Sequence, residues 1–173
     1  LDRLARQMGE ECLQVRVGFK HLAAGMVRSQ AILGGESSGG LTIRGHILGK
    51  DGILAAALIV EMLAKTGRKV SELLDSLYGQ IGRLYTVERN LPATPEMKAL
   101  FPTILHQQRL EQLAGRPVQS ILEVDGTKLV LSNDQWVLLR FSGTEPLLRI
   151  FAEGDSPESA LELVDAAERL LPM

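Results

Sequence analysis

The chain has 173 residues, enough for one ordinary domain or two small ones. Hydrophobic residues make up 45% and charged residues 23%, which is the balance of a globular protein and excludes a disordered one. A formal net charge of -2 provides no overall positive field for nucleic acid. The longest apolar run, residues 53–60, is too short for the roughly 20 residues of a membrane span. Cys12 alone supports neither a disulfide framework nor a cysteine metal site, which favours a cytoplasmic protein.

The first half of the chain predicts an α/β domain. Leu1, Leu4 and Met8 have the spacing of a helix face from the first residue, so we expect that something precedes the sequence. The alternating residues 12–17 predict a short strand, and residues 31–33 predict another that ends in a glycine-rich loop. We therefore expect a mixed sheet with helices, truncated at its start.

Two consecutive helices follow these strands. Asp51 is expected to cap a helix that runs to about Lys65, with Gly67 placed to end it. Ser71 is expected to cap the next helix. Together they supply the helical layer of the first domain.

A proline-rich stretch separates this helix-rich half from a strand-rich half, and we place the domain boundary near residues 83–86. Thr94 and Pro95 predict the start of a helix. That helix is expected to continue through residues 105–113, with an interruption or kink at Pro102.

The second half predicts an α+β domain. Residues 118–124 and 127–131 flank Asp125-Gly126, a dipeptide typical of two-residue hairpin turns. Residues 135–141 and 147–153 read as two further strands. Ser156 and Pro157 then begin a final helix, whose buried face holds Ala160, Val164, Ala167 and Leu171. We expect a four-stranded antiparallel sheet and two helices.

The segment 140–149 has the composition of a phosphate site. Arg140 and Arg149 supply planar guanidinium groups, Ser142 and Thr144 supply hydroxyls, and Gly143 permits a tight turn with exposed amides. If Leu148, Ile150 and Ala152 face the core, Arg149 lies on the opposite face of its strand. A polar turn with Arg149 paired to a nearby carboxylate fits the same residues and stays open.

A second candidate is the loop of residues 34–40. Its glycines allow close backbone approach, and Glu36 and Ser38 are placed to hydrogen bond vicinal sugar hydroxyls. By composition alone a flexible linker is the favoured alternative. Lys20, in a turn after residues 12–17, and Lys50 are candidate phosphate contacts of the kind that surface lysines seldom fulfil.

The three histidines are scattered along the chain and have neither metal-ligand spacing nor a partner for a triad. They are interpreted as surface or core residues, and His46 is the one closest to a candidate site. They are His21, His46 and His106.

These motifs, in this order, resemble the alpha-D-phosphohexomutase family over the whole chain. The motifs are Val17-Gly18-Phe19-Lys20, the loop 34–40, Lys50-Asp51-Gly52, and the Arg-x-Ser-Gly-Thr-Glu-Pro-x-x-Arg string at 140–149. Each short loop is weak on its own, whereas the last string with Glu-x-Ser-Gly about a hundred residues upstream is specific.

The resemblance implies two of the family's four domains. Residues 1–83 would be most of the third domain, without its first strand, and residues 84–173 the fourth, with a TBP-like α+β fold. It implies that the sugar is bound by Gly18, Phe19, Lys20, Glu36, Ser38 and Lys50. It implies that the non-reacting phosphate is bound by Arg140, Ser142, Gly143, Thr144 and Arg149.

The resemblance also implies what the chain lacks. Family members carry a phosphoserine loop in the first domain and an Asp-x-Asp-x-Asp-Arg magnesium loop in the second, and neither motif occurs here. We therefore expect no catalytic residue and no metal ligand in this chain, and no turnover by it alone. The whole enzyme would be an isomerase, an intramolecular phosphotransferase that uses Mg²⁺ and a hexose 1,6-bisphosphate intermediate.

Alternatives to a fragment of such an enzyme remain. A non-catalytic phosphosugar-binding module would use the same loops, and a structural interaction module would use them only as linkers. Ser37 and Gly40 differ from the Gln and His typical of phosphoglucosamine mutases, which favours glucose or mannose phosphate. Neither Glu36 nor Ser38 separates glucose from mannose. The expected partners are a phosphosugar and the missing N-terminal domains, with no nucleic acid and no membrane.

Overall fold

A computed structural model describes residues 1–107 and 110–171 of the chain, with all their side chains except those of residues 102–107. The chain forms two compact units, Leu1–Gly82 (unit 1) and Arg83–Met173 (unit 2). Unit 1 combines helices with a small sheet, and unit 2 packs helices on an antiparallel sheet. The predicted fold class, α/β followed by α+β, is confirmed at this level.

Unit 1 consists of four helices and one antiparallel pair of strands. In chain order they are α1 (Asp2–Gln7), α2 (Phe19–Ser29), β1 (Leu33–Gly35), β2 (Leu41–Ile43), α3 (Gly52–Thr66) and α4 (Val70–Ile81). A Cβ at Gly34 would lie 2.5 Å from Met26 Sδ and 2.6 Å from Leu22 Cδ2, so only glycine lets β1 approach α2 this closely. Gly35 pairs with Leu41, which leaves residues 36–40 as the connecting loop.

Helix α3 begins and ends as predicted. Asp51 Oδ1 accepts hydrogen bonds from the amides of Ile53 at 2.9 Å and Leu54 at 3.0 Å. Gly67 ends the helix with φ 64°, the left-handed conformation that glycine adopts without strain. The cap at Asp51 fixes the backbone directly after Lys50.

Two expectations for unit 1 were wrong. Residues 12–17 form no strand, because an extended segment needs a neighbour for its amide and carbonyl groups and the sheet of unit 1 contains only β1 and β2. The sheet is consequently antiparallel rather than mixed. Helix α4 is not capped by Ser71: it starts earlier, because the Glu72 carboxylate accepts from the amide of Lys69 at 3.0 Å.

Unit 2 is a six-stranded antiparallel sheet in the order β3-β8-β7-β6-β5-β4, with helices α5 and α6. Its elements are β3 (Tyr85–Pro92), α5 (Pro95–Gln107), β4 (Gln112–Leu113), β5 (Arg116–Leu122), β6 (Thr127–Leu131), β7 (Trp136–Phe141), β8 (Leu147–Gly154) and α6 (Pro157–Glu168). Ser156 Oγ caps α6 through the Ser159 amide at 3.0 Å, as predicted. The expected inner face of α6 is buried at Ala160, Val164, Ala167 and Leu171.

The sheet has two more strands than predicted, and the larger omission is β3. Its inward positions are Tyr85, Val87, Arg89 and Leu91, so a charged residue interrupts the apolar alternation. Arg89 Nη1 lies 2.8 Å from Asp165 Oδ1 and 2.5 Å from Glu168 Oε2, both on α6. This ion pair raises the pKa of Arg89 and allows a guanidinium where the pattern requires an apolar residue.

Two boundaries in unit 2 also differ from the predictions. The hairpin between β5 and β6 exists, but its last pair is Leu122 with Lys128, and residues 123–126 form a four-residue loop instead of a two-residue turn. Helix α5 ends at Gln107, whereas the predicted helix reached residue 113, which lies in β4. Of that predicted extension, residues 108 and 109 lie outside the described residues.

Candidate functional site

Two arginines of unit 2 lie directly opposite each other. Arg140 on β7 and Arg149 on β8 are register partners, so their side chains leave the same face of the sheet. Leu148 and Ile150 are fully buried on the other face, as expected from the alternation. Like charges directly opposite in a sheet repel each other, so this pair requires negative charge close by.

Three carboxylates meet that requirement. Arg149 Nη2 donates to Glu145 Oε2 at 2.8 Å, and Nη1 lies 3.7 Å from Glu88 Oε1 on β3. Arg140 Nη1 donates to Asp125 Oδ2 at 3.4 Å. The interpretation of Arg149 as a residue paired to a nearby carboxylate therefore agrees with these contacts.

The loop between β7 and β8 is organised by Ser142. Its Oγ accepts from the amides of Thr144 at 3.3 Å and Glu145 at 3.2 Å, and its own amide donates to Leu147 O at 2.8 Å. Two of the amides expected to face an anion are thus turned toward the serine hydroxyl. Thr144 itself is exposed to solvent.

Gly143 does not serve the turn in the way expected. Its φ lies outside the left-handed range, and a Cβ there would meet no atom of a non-adjacent described residue within 4 Å. The turn therefore does not need the conformational freedom of glycine. What Gly143 supplies is open space above the loop, through which a ligand can approach the backbone.

In unit 1, three predicted residues come together beside the loop 36–40. Lys50 Nζ lies 2.7 Å from Glu36 Oε2, at ion-pair distance but without hydrogen-bond geometry, and 5.9 Å from the centroid of the Phe19 ring. A Cβ at Gly40 would lie 2.9 Å from Lys50 Cδ, so glycine makes room for the lysine stem. The result is a small cluster with one carboxylate, one ammonium group and one aromatic ring.

The other predicted residues of unit 1 are close to this cluster in sequence, because Gly18 and Lys20 flank Phe19 and Ser38 belongs to the loop of Glu36. Gly18, with φ 114°, precedes α2 as its N-cap, and Lys20 is exposed on the first turn of that helix. Ser38 is exposed at the tip of the loop. Within the described part of the chain the structure gives neither Lys20 nor Ser38 a polar partner, so both are open to a ligand.

His46 was underestimated by the sequence reasoning. Its Nε2 lies 2.8 Å from Asp51 Oδ2, and Asp51 is the neighbour of Lys50 and the cap of α3. The hydrogen bond from the Leu54 amide, followed by that of His46, lowers the pKa of the Asp51 carboxyl. His46 thus braces the backbone that carries Lys50.

The carboxylates of the arginine site were also missed. Glu145 belongs to the motif itself, but the spacing does not reveal that it reaches back to Arg149. Asp125 was interpreted only as a turn residue, although it lies next to Arg140 across the hairpin. Nothing in the sequence placed Glu88 near Arg149, because the strand that carries Glu88, β3, was not predicted.

Searches for a metal centre and a membrane span gave no candidate. Among the described side chains, those of residues 1–101 and 110–171, no three from His, Cys, Asp or Glu are placed to hold a metal ion. No helix in the described ranges is long and apolar enough to cross a bilayer.

Comparison with known families accounts for both units. Residues 1–81 match the model described as phosphoglucomutase/phosphomannomutase, alpha/beta/alpha domain III, and residues 101–170 match the C-terminal domain of the same family. The chain belongs to the phosphoglucomutase/phosphomannomutase family. The resemblance stated from the motifs is therefore confirmed, with the two matched domains in the expected order.

Individual members of the family align over nearly all of the chain. A phosphoglucomutase/phosphomannomutase of Thermococcus kodakarensis is 34% identical over 99% of this chain and 35% of its own length. A Methanopyrus kandleri protein named "Probable phosphoglucosamine mutase" is 36% identical over 95% of the chain and 34% of its length. A crystal structure from Thermus thermophilus, described provisionally as a phosphomannomutase, superposes with TM-score 0.72 at 29% identity, over 98% of this chain and 33% of that one. The chain spans about a third of these proteins, whose names cover two substrate classes.

Proposed function

We propose that this chain is the substrate-holding part of a phosphohexomutase that interconverts hexose 1-phosphate and hexose 6-phosphate. In this proposal unit 2 binds the phosphate that does not react, and unit 1 binds the sugar hydroxyls. The phosphoserine, the magnesium site and the bisphosphorylated intermediate belong to a complete enzyme with further N-terminal domains. The exposed, lone Cys12 is compatible with a cytoplasmic location.

The observation that carries the proposal is the cross-strand pair Arg140 and Arg149. Two guanidinium groups on one face, beside a loop with two hydroxyls and an open glycine, supply positive charge and hydrogen-bond donors of the kind that a phosphate dianion requires. Ser142 fixes the conformation of the loop by accepting hydrogen bonds from its backbone amides. The exposed Thr144 and the space at Gly143 would be available to the ligand.

The cluster in unit 1 suits a sugar. The Glu36 carboxylate is only 18% exposed and its Oε2 is buried beside Lys50, so Oε1 would be the acceptor that it offers to a sugar hydroxyl in a fixed position. Ser38 would add a hydroxyl partner from the tip of the same loop, and Gly18, Phe19 and Lys20 would line the turn opposite. Lys50 would remain near the ligand as its cationic neighbour.

The chemistry of the whole enzyme follows from this division of roles. Phosphoryl transfer depends mainly on positioning and on neutralising charge. A sugar that is phosphorylated at both ends must bind in two orientations, with one phosphate held by the arginines while the other meets the phosphoserine. The present chain would supply the holding function, and alone it would not turn substrate over.

A phosphoglucosamine mutase is the second candidate, and the Methanopyrus kandleri relative favours it. Against it stands Gly40: a Cβ there would lie 2.9 Å from Lys50 Cδ, so the histidine expected in that class would have to displace Lys50 from its place beside Glu36. Affinity for glucosamine 6-phosphate equal to that for glucose 6-phosphate would support the second candidate.

Calorimetric titration of the chain with glucose 1-phosphate and glucose 6-phosphate tests the proposal, together with Arg149→Ala and a mutase assay. We expect weak binding to the chain, loss of binding in the variant, and no turnover by either. Arg89→Ala is the matched control, because Arg89 pairs with α6 on the inner face of the sheet. Binding that survives Arg149→Ala but not Arg89→Ala would refute the phosphate site.

A further inference from the structure

We infer that Glu145 is a specificity-determining residue: its carboxylate is hydrogen bonded to the Arg149 guanidinium, and a ligand phosphate must displace it. The inference rests on the proposed function, because it concerns the same site. In this role the Glu145 carboxylate competes with the ligand for Arg149, which favours dianionic ligands over singly charged ones.

The charges around the arginine pair show why a competitor matters. Two guanidinium groups face three carboxylates, from Asp125, Glu145 and Glu88, so the group as a whole carries one excess negative charge. A phosphate dianion placed beside all three carboxylates would be repelled. Binding therefore requires at least one carboxylate to leave the arginines.

Glu145 is the carboxylate best placed to leave. It lies on the substrate loop itself, makes the shortest of the three contacts at 2.8 Å, and is 51% exposed, compared with 28% for Asp125. An exposed ion pair of this kind is weakly held, so the side chain rotates into solvent at small cost. Glu88, on the neighbouring strand, lies 3.7 Å from Nη1 of the same guanidinium, within ion-pair distance but beyond the range of a hydrogen bond.

The Arg149 guanidinium can make more favourable contacts with a phosphate than it makes with Glu145. In the described structure Arg149 Nε is buried and has no hydrogen-bond acceptor, so the single contact with Glu145 does not satisfy the guanidinium. A phosphate presents more acceptor oxygens and more charge than one carboxylate does. A monoanion such as acetate would only exchange one carboxylate for another, with no net gain.

The test compares Glu145→Gln with wild type, using inorganic phosphate and acetate as probes. We expect Glu145→Gln to bind phosphate about 3-fold more tightly, the scale of one exposed ion pair, and to bind acetate measurably where wild type does not. Glu88→Gln removes the same charge from the longer contact with Arg149, at 3.7 Å, and is the matched control, with a change smaller than that of Glu145→Gln. Thermal unfolding verifies that each variant is folded.

The outcomes separate the inference from the function on which it rests. If phosphate binds to wild type and is lost in Arg149→Ala, but Glu145→Gln binds it no better, the inference is wrong and the phosphate site stands. If Glu88→Gln and Glu145→Gln strengthen binding equally, only the general charge matters and the inference is again wrong. If neither wild type nor Glu145→Gln binds phosphate, both are overturned.

Discussion

Replacing Gly126 with alanine is expected to destabilise unit 2 strongly. Gly126 has φ 89°, and a Cβ there would lie 2.5 Å from the carbonyl oxygen of Leu139 and 3.0 Å from Arg140 Cα. The left-handed conformation costs a non-glycine residue about 1–2 kcal/mol, and relieving a clash with backbone costs about 1–3 kcal/mol more. We therefore expect a loss of about 2–5 kcal/mol in the free energy of unfolding, from a typical total of about 5–15 kcal/mol.

Gly115→Ala separates the two contributions. Gly115 also has a positive φ, 71°, but a Cβ there would meet no described atom within 4 Å outside its chain neighbours. Its replacement should cost only the conformational part, about 1–2 kcal/mol. Urea unfolding followed by the fluorescence of Trp136, the single tryptophan of the chain, reports on unit 2. Equal losses in the two variants would refute the argument that the contact with β7 matters.

Two further predictions concern unit 1. Because the pKa of Asp51 is lowered in the folded chain, its contribution to stability is present above the unfolded value of about 3.9 and is lost as the pH falls through the folded pKa. When thermal melts are recorded at decreasing pH, the melting temperature of Asp51→Asn should therefore fall less steeply than that of wild type. Equal slopes of melting temperature against pH would contradict this. Gly40→Ala should displace the flexible Lys50 stem and weaken binding of glucose 1-phosphate in calorimetry, while stability stays within about 0.5 kcal/mol of wild type. Gly49→Ala is the control, because a Cβ at Gly49 would have no described atom within 4 Å outside its chain neighbours. Unchanged affinity in Gly40→Ala would exclude a role for Lys50.

The parts of the fold that were predictable have local causes. The Asp51 cap and the Gly67 terminus act within a few residues of α3, and Ser156 with Pro157 does the same for α6. The start of strand β6 was predicted correctly because the turn dipeptide Asp125-Gly126 directly precedes it. In each case the determining interaction is contained in the stretch of sequence that forms the element.

The missed features depend on residues distant in sequence. Strand β3 was hidden because Arg89 interrupts its apolar pattern and is neutralised by α6, which lies more than seventy residues further along. Residues 12–17 show the opposite error, since their strand-like pattern lacks a partner strand in unit 1.

The sequence predicts which residues form the candidate site, but it does not predict which side chains contact one another there. The motif residues, including Arg140 and Arg149, are visible in the sequence, and the placement of Arg149 on the face opposite Leu148 followed from alternation. The position of Arg140 directly opposite Arg149 comes from the strand register. That Asp125 and Glu145 already occupy the two guanidinium groups follows only from the hairpin and loop geometry.

The central claim is that Arg140 and Arg149 hold the substrate phosphate. It is tested most directly by following arginine Nε–H resonances in ¹H–¹⁵N spectra during a titration with glucose 6-phosphate, with assignments from Arg→Lys variants. The account predicts that both resonances shift with a common dissociation constant, while those of Arg89 and Arg116, which pair with α6, stay in place. Unmoved resonances of Arg140 and Arg149 at saturating ligand, or equal shifts of all four, would contradict it.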